Sequence, residues 1–162
     1  MTLAEQLQDA LKTAMRAHDE VRRDALRMAL SALYNAEKTA RRPLVEDEAL
    51  AVLVREVKTH RESVEAFAKG GRGDLVAKEE ADIAVLSEFL PAALSDDEID
   101  ALVRQAISEA GATSPRDLGG VMRLLAPRVR GRADGRLVNQ RVARALAALE
   151  AVSSSTGPVQ EG

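Results

Sequence analysis

Apolar residues recur along this chain at offsets of three and four, the period of helices with one buried face, and the reading is helical throughout. Thr2, with Glu5 three residues on, caps a first helix whose stripe is Leu3, Leu7, Leu11 and Met15, running to about Ala17. His18-Asp19 leads into a second, with Leu26, Ala29, Leu30 and Leu33 on one face, stopped by Arg41-Arg42-Pro43. A third covers about Glu46 to Ala68, with Leu50, Leu53, Val54, Val57 and Val64 inward, and Gly70-Gly71-Arg72-Gly73 breaks it. Asp74 is expected to cap a fourth, carrying Val76, Ile83, Leu86 and Phe89 and closed by Leu90-Pro91.

The second half is punctuated more sharply. Ser95-Asp96-Asp97-Glu98 reads as a capping box, followed by Ile99, Leu102, Val103, Ala106 and Ile107 before Gly111. Ser114-Pro115 opens the next helix, with Leu118, Val121, Met122, Leu125 and Val129 as its stripe. At 100° per residue Arg116, Arg123 and Arg130 fall on its opposite side, if the helix tolerates Pro127. Asp134 caps a last helix that buries Val138, Val142, Ala145, Leu146 and Leu149 behind an outer ridge of Arg136, Gln140 and Arg144. The expected architecture is all-α: an N-terminal helical domain of about four helices over 1–92, a small three-helix domain over 93–150, and a disordered tail over 151–162.

Charge changes this picture. The chain has 162 residues and a net charge of -3, yet residues 114–149 hold eight arginines against Asp117 and Asp134, a local +6. Residues 74–113 carry -8. A positive face set apart on an acidic protein is suited to a polyanion, because clustered cations release condensed counterions from nucleic acid. With only Tyr34, Phe67 and Phe89 as aromatics, base stacking is scarcely available, so RNA would be held by backbone and shape. The opposing reading pairs these arginines with the acidic helix at 95–110 in surface ion pairs. It accounts less well for Gly131-Arg132-Ala133-Asp134-Gly135, where arginines and the free N–H groups of a helix start occur together.

Other chemistry is sparse. With no cysteine there is neither a disulfide framework nor a thiol nucleophile, and no helix start resembles a nucleotide loop. His18 and His60 lack partners at metal-ligand spacing and are read as surface histidines. Glu79-Glu80, Asp82, Asp96-Asp97 and Asp100 are read as solvated helix faces. Neither a metal nor a cofactor is expected. Gly119-Gly120 inside a helix costs about 1 kcal/mol each relative to alanine, so either a helix packs closely there or a ligand backbone approaches. Glu5 and Asp9 interrupt any secretion signal and no segment reaches a membrane span, which leads to an expectation of a cytoplasmic protein without a membrane partner.

The run Gly120-Val121-Met122, Pro127 to Gly135 and Leu137-Val138-Asn139 resembles the C-terminal signature of the YqeY family, and is similar to the tail domain of GatB, the B subunit of the bacterial tRNA-dependent amidotransferase. Leu26-Arg27-Met28 and Glu88-Phe89-Leu90-Pro91 followed by Ser95 extend the resemblance to YqeY over most of the chain. Family members commonly carry lysine where this chain has Arg130 and Arg132, a change that keeps charge and adds a forked donor. The resemblance implies an N-terminal helical region, a three-helix C-terminal domain, and contact with tRNA or with the amidotransferase and aminoacyl-tRNA machinery. The activity label attached to the family, a carbon–nitrogen ligase with glutamine as amido-N-donor, meets no catalytic constellation in these residues. The expected function is noncatalytic tRNA binding: Arg128, Arg130, Arg132 and Arg136 on phosphates, Arg123 and Asn139 supporting them, Gly131 and Gly135 admitting a close backbone. The alternatives are a helical protein-interaction adaptor with no RNA role, docking through the N-terminal helices where Met28 and Tyr34 flank the buried stripe of helix two, or an accessory of a glutamine-dependent carbon–nitrogen ligase, the amidotransferase.

Overall fold

The computed structural model describes residues 1–155, all of whose regular elements are helices. They are α1 (Leu3–Arg16), α2 (Glu20–Ala40), α3 (Glu46–Lys69), α4 (Gly73–Ser87), α5 (Asp96–Ala110), a 3-10 turn (Pro115–Asp117), α6 (Leu118–Val129) and α7 (Gly135–Ser155). By internal contact the chain divides into two compact units, Met1–Pro91 and Ala92–Gly162.

In the first unit α1 pairs with α2 and α3 with α4, while α2 also touches α3 and α4. Its core is Leu3 and Leu7 from α1, Leu26, Ala29 and Leu33 from α2, Leu53 and Val57 from α3, and Leu86 from α4. Thr2 Oγ1 accepts from Glu5 N–H while the Glu5 carboxylate accepts from Thr2 N–H, closing the capping box. Asp19 Oδ1 likewise accepts from Arg22 N–H at the start of α2. Before α3, Glu48 accepts from Val45 N–H and takes a forked pair of bonds from Arg42, which holds its carboxyl down at about 2.

The structure departs from the sequence reading at several points. Met15 is exposed and Ala14 takes its place in the core, because the 100° step turns the stripe past Met15 within four turns. Helix α4 begins at Gly73 with Arg72 in the cap position, so Asp74 lies inside the first turn, where its carboxylate pairs with Arg72. It ends at Ser87, three residues before Leu90. His60, expected on the surface, is buried on α3 and faces Glu79 and Asp82 of α4. Asp82, expected on a solvated face, is only 4% exposed.

The second unit has its own core, with Ile99, Val103 and Ala106 from α5, Val121, Leu125 and Val129 from α6, and Val138, Val142 and Leu146 from α7. Ser95 and Glu98 form the expected capping box, and Gly111 closes α5 in the left-handed region at φ 63°. Ser114-Pro115 opens the 3-10 turn rather than the helix itself, and the Asp117 carboxylate accepts from Thr113 and Ser114 N–H, which lowers its pKa. Pro127 is accommodated inside α6, which continues to Val129. Leu149, expected inward, is exposed. Helix α7 also runs past the expected boundary at 150 to Ser155, where the Ser154 and Ser155 hydroxyls donate to the Glu150 and Val152 carbonyls. The remainder of the tail expected to be disordered, 156–162, lies outside the described residues.

Candidate nucleic-acid interface

The loop between α6 and α7 is a built turn. Arg132 and Ala133 N–H groups donate to Val129 carbonyl, and Gly131 adopts φ 73°, a conformation that a side chain would strain. Leu94 N–H donates to the Arg132 carbonyl at 2.8 Å, and Arg132 Nε donates to the Ala92 carbonyl at 3.0 Å, fixing the loop to the strand of chain that precedes α5. Asp134 Oδ1 accepts from Arg136 N–H at 2.9 Å, which starts α7 as the sequence suggests.

The eight arginines of residues 114–149 divide by what they touch. Arg128 Nη2 donates to Glu109 Oε2 at 2.6 Å, and the Glu109 carboxyl is held below its ordinary range by that bond. Its Nη1 is buried without a hydrogen-bond partner among the described residues. Arg141 spans Asp96 and Asp100 at 2.7 and 2.8 Å and reaches the Asp96 carbonyl as well. These two supply the pairing to the acidic α5 that the opposing reading anticipates. Arg132 commits Nε to Ala92. Arg116, Arg123, Arg130, Arg136 and Arg144 are exposed and have no ion pair among the described residues.

Their arrangement differs in part from expectation. Arg116 lies in the 3-10 turn, Arg123 within α6, and Arg130 just past its end with ψ 125°, so the three do not form one helical ridge. On α7, Arg136, Gln140 and Arg144 are all exposed at offsets of four and do share a face, with Asn139 exposed beside it. Arg136 and Arg144 are thereby about 12 Å apart along the axis. A Cβ placed on Gly119, Gly120 or Gly135 meets nothing within 4 Å. Among the described residues no helix packs closely against Gly119-Gly120, which leaves the approach of a ligand backbone as the other explanation for that pair.

Sequence reasoning missed the cluster of His60, Glu79 and Asp82 in the first unit. Its one local signal is the Glu79/Asp82 spacing of three, which places both carboxylates on one side of α4. His60, on another helix, is not connected to them by any spacing.

Several curated fungal proteins are similar to this chain. The protein named Altered inheritance of mitochondria protein 41, mitochondrial, from Pyrenophora tritici-repentis is 34% identical over 141 residues, which is 84% of this chain and 76% of that protein. The proteins of the same name from Lachancea thermotolerans and Kluyveromyces lactis are 36% and 33% identical over 113 residues, covering 67% of this chain and 60% of each of them. These names overturn the expectation of a cytoplasmic location. That expectation rested on interrupted apolar runs, and a receptor-read address lies outside what the packing of a helical domain records. Among the described residues no helix is long and apolar enough to cross a membrane. The profile of the family described as Yqey-like protein matches residues 4–146, and the chain belongs to the YqeY family.

Proposed function

We propose that this protein is a noncatalytic tRNA-binding protein that holds the RNA backbone through its C-terminal helices, with a four-helix domain over 1–92 and a three-helix domain over 93–150. The observation that carries the reading is the group of five exposed arginines at 116, 123, 130, 136 and 144 in the C-terminal unit, which have no ion pair among the described residues. Free guanidinium groups keep their full capacity to displace counterions, and each can fork onto a phosphate. Arg128 and Arg132 contribute charge from fixed positions, Gly131 shapes the turn between the free arginines, and Gly135 with Asn139 leaves the first turn of α7 open to a backbone. The choice of tRNA among RNAs follows from the similarity to the amidotransferase tail.

The test is fluorescence anisotropy of labelled bulk tRNA with the full chain. The triple substitution Arg123→Glu, Arg130→Glu, Arg136→Glu should abolish binding while circular dichroism retains the helical signal. Undiminished binding by that variant overturns the proposal.

A second reading is favoured by a different observation. A groove of about 650 Å³ is lined by Met28, Ser31 and Asn35 of α2 and Val52 of α3, and Met28 and Tyr34 are exposed on the same helix. Such a surface suits a protein partner, including one of the amidotransferase or aminoacyl-tRNA machinery. Full-length protein carrying Met28→Asp and Tyr34→Asp would then lose that partner and keep tRNA.

A further inference from the structure

His60 and Asp82 are the only buried polar or charged side chains among the described residues, and they lie against each other. His60 Nδ1 contacts Glu79 Oε2 and is 4.0 Å from Asp82 Oδ2, and the three donor atoms all fall within 4.8 Å of one another. An imidazole nitrogen carries at most one proton, so Nδ1 cannot donate fully to two carboxylates. Lys78 Nζ reaches Asp82 at 3.4 Å from the solvent side, on a side chain that is 64% exposed. Buried charged groups are paired or coordinate a metal, and apolar residues of similar size would join α3 to α4 without this desolvation cost. One imidazole nitrogen with two carboxylate oxygens is a donor set for a divalent transition-metal ion, and three protein ligands leave a position for water.

We propose that His60, Glu79 and Asp82 bind one divalent transition-metal ion, with zinc as the best match, between α3 and α4. The ion takes the place of the direct His60–Glu79 contact and ties the two helices together. The site lies wholly in the Met1–Pro91 unit and is independent of the arginines proposed to meet RNA.

Isothermal titration of the full chain with zinc chloride tests this, with the other histidine as an internal control because His18 is exposed on the α1–α2 connection. The expected result is one ion per chain, with affinity reduced at least about tenfold by His60→Gln and by Glu79→Gln and unchanged by His18→Gln. Zinc should also raise the melting temperature of the unsubstituted protein and leave that of His60→Gln where it was. Should His60→Gln fail to fold, as judged by circular dichroism, the part-exposed Glu79→Gln decides the matter. Absence of one-to-one uptake, or uptake that survives both substitutions, overturns the proposal and leaves the cluster as a structural ion pair.

Discussion

Replacing Gly119 and Gly120 together by alanine should stabilise the protein and weaken its hold on RNA. Both glycines sit in the first turn of α6, both are exposed, and neither adopts a positive φ. The added methyl groups meet nothing within 4 Å, so no steric cost offsets the gain. Alanine restricts the unfolded chain and is the better helix former, contributing about 0.5–1 kcal/mol per site, or about 1–2 kcal/mol for the pair. For a unit of this size that corresponds to a rise on the order of 4–16 °C in the transition that includes α6. Differential scanning calorimetry of the double variant reads the shift, and anisotropy with labelled tRNA reads the binding. A melting temperature that stays level or falls would refute the structural reasoning. A raised melting temperature with unaltered tRNA affinity would show that no ligand backbone approaches these glycines.

Leu125→Ala should cost about 2–5 kcal/mol in urea unfolding, because Leu125 is fully buried in the second core, whereas the neighbouring, part-exposed Leu124→Ala should stay within about 0.5 kcal/mol; equal effects would mean that α6 is rotated from the described position. Part of the acid pH dependence should come from Glu48, whose folded pKa of about 2 lies below its ordinary 4.5. A depressed carboxylate stabilises the fold above pH 4.5 and loses that contribution as pH falls toward 2, so Glu48→Gln should flatten the acid limb of a urea-midpoint profile across this window; an unchanged limb would contradict the Arg42 fork.

Helix ends and faces were legible because they are local. Thr2 with Glu5, Ser95 with Glu98, and Asp134 with Arg136 each sit within a turn of the groups they satisfy. Asp74 shows the limit of that grammar: a capping residue type placed two positions past the cap is drawn into an ion pair with Arg72 instead. The arginine cluster was legible as charge and illegible as geometry. Its division into tied and free members depends on Glu109, Ala92 and Asp96, which stand 19, 40 and 45 positions away from Arg128, Arg132 and Arg141. His60 was misread for the same reason, since its partners face it across α3 and α4, where spacing within one helix carries no information.

The salt dependence of tRNA affinity decides whether the free arginines of the C-terminal unit meet phosphates. Each neutralised phosphate contributes about 0.7–0.9 to the fall of log affinity with log salt, so engagement of all five gives a slope of about -3.5 to -4.5. Replacing Arg130 and Arg136 by glutamine should shallow that slope by about 1.4–1.8. Arg141→Gln should leave it in place, since that side chain is held by Asp96 and Asp100. A slope near zero, or one reduced as much by Arg141→Gln as by the Arg130 and Arg136 pair, would contradict the assignment of RNA binding to these side chains.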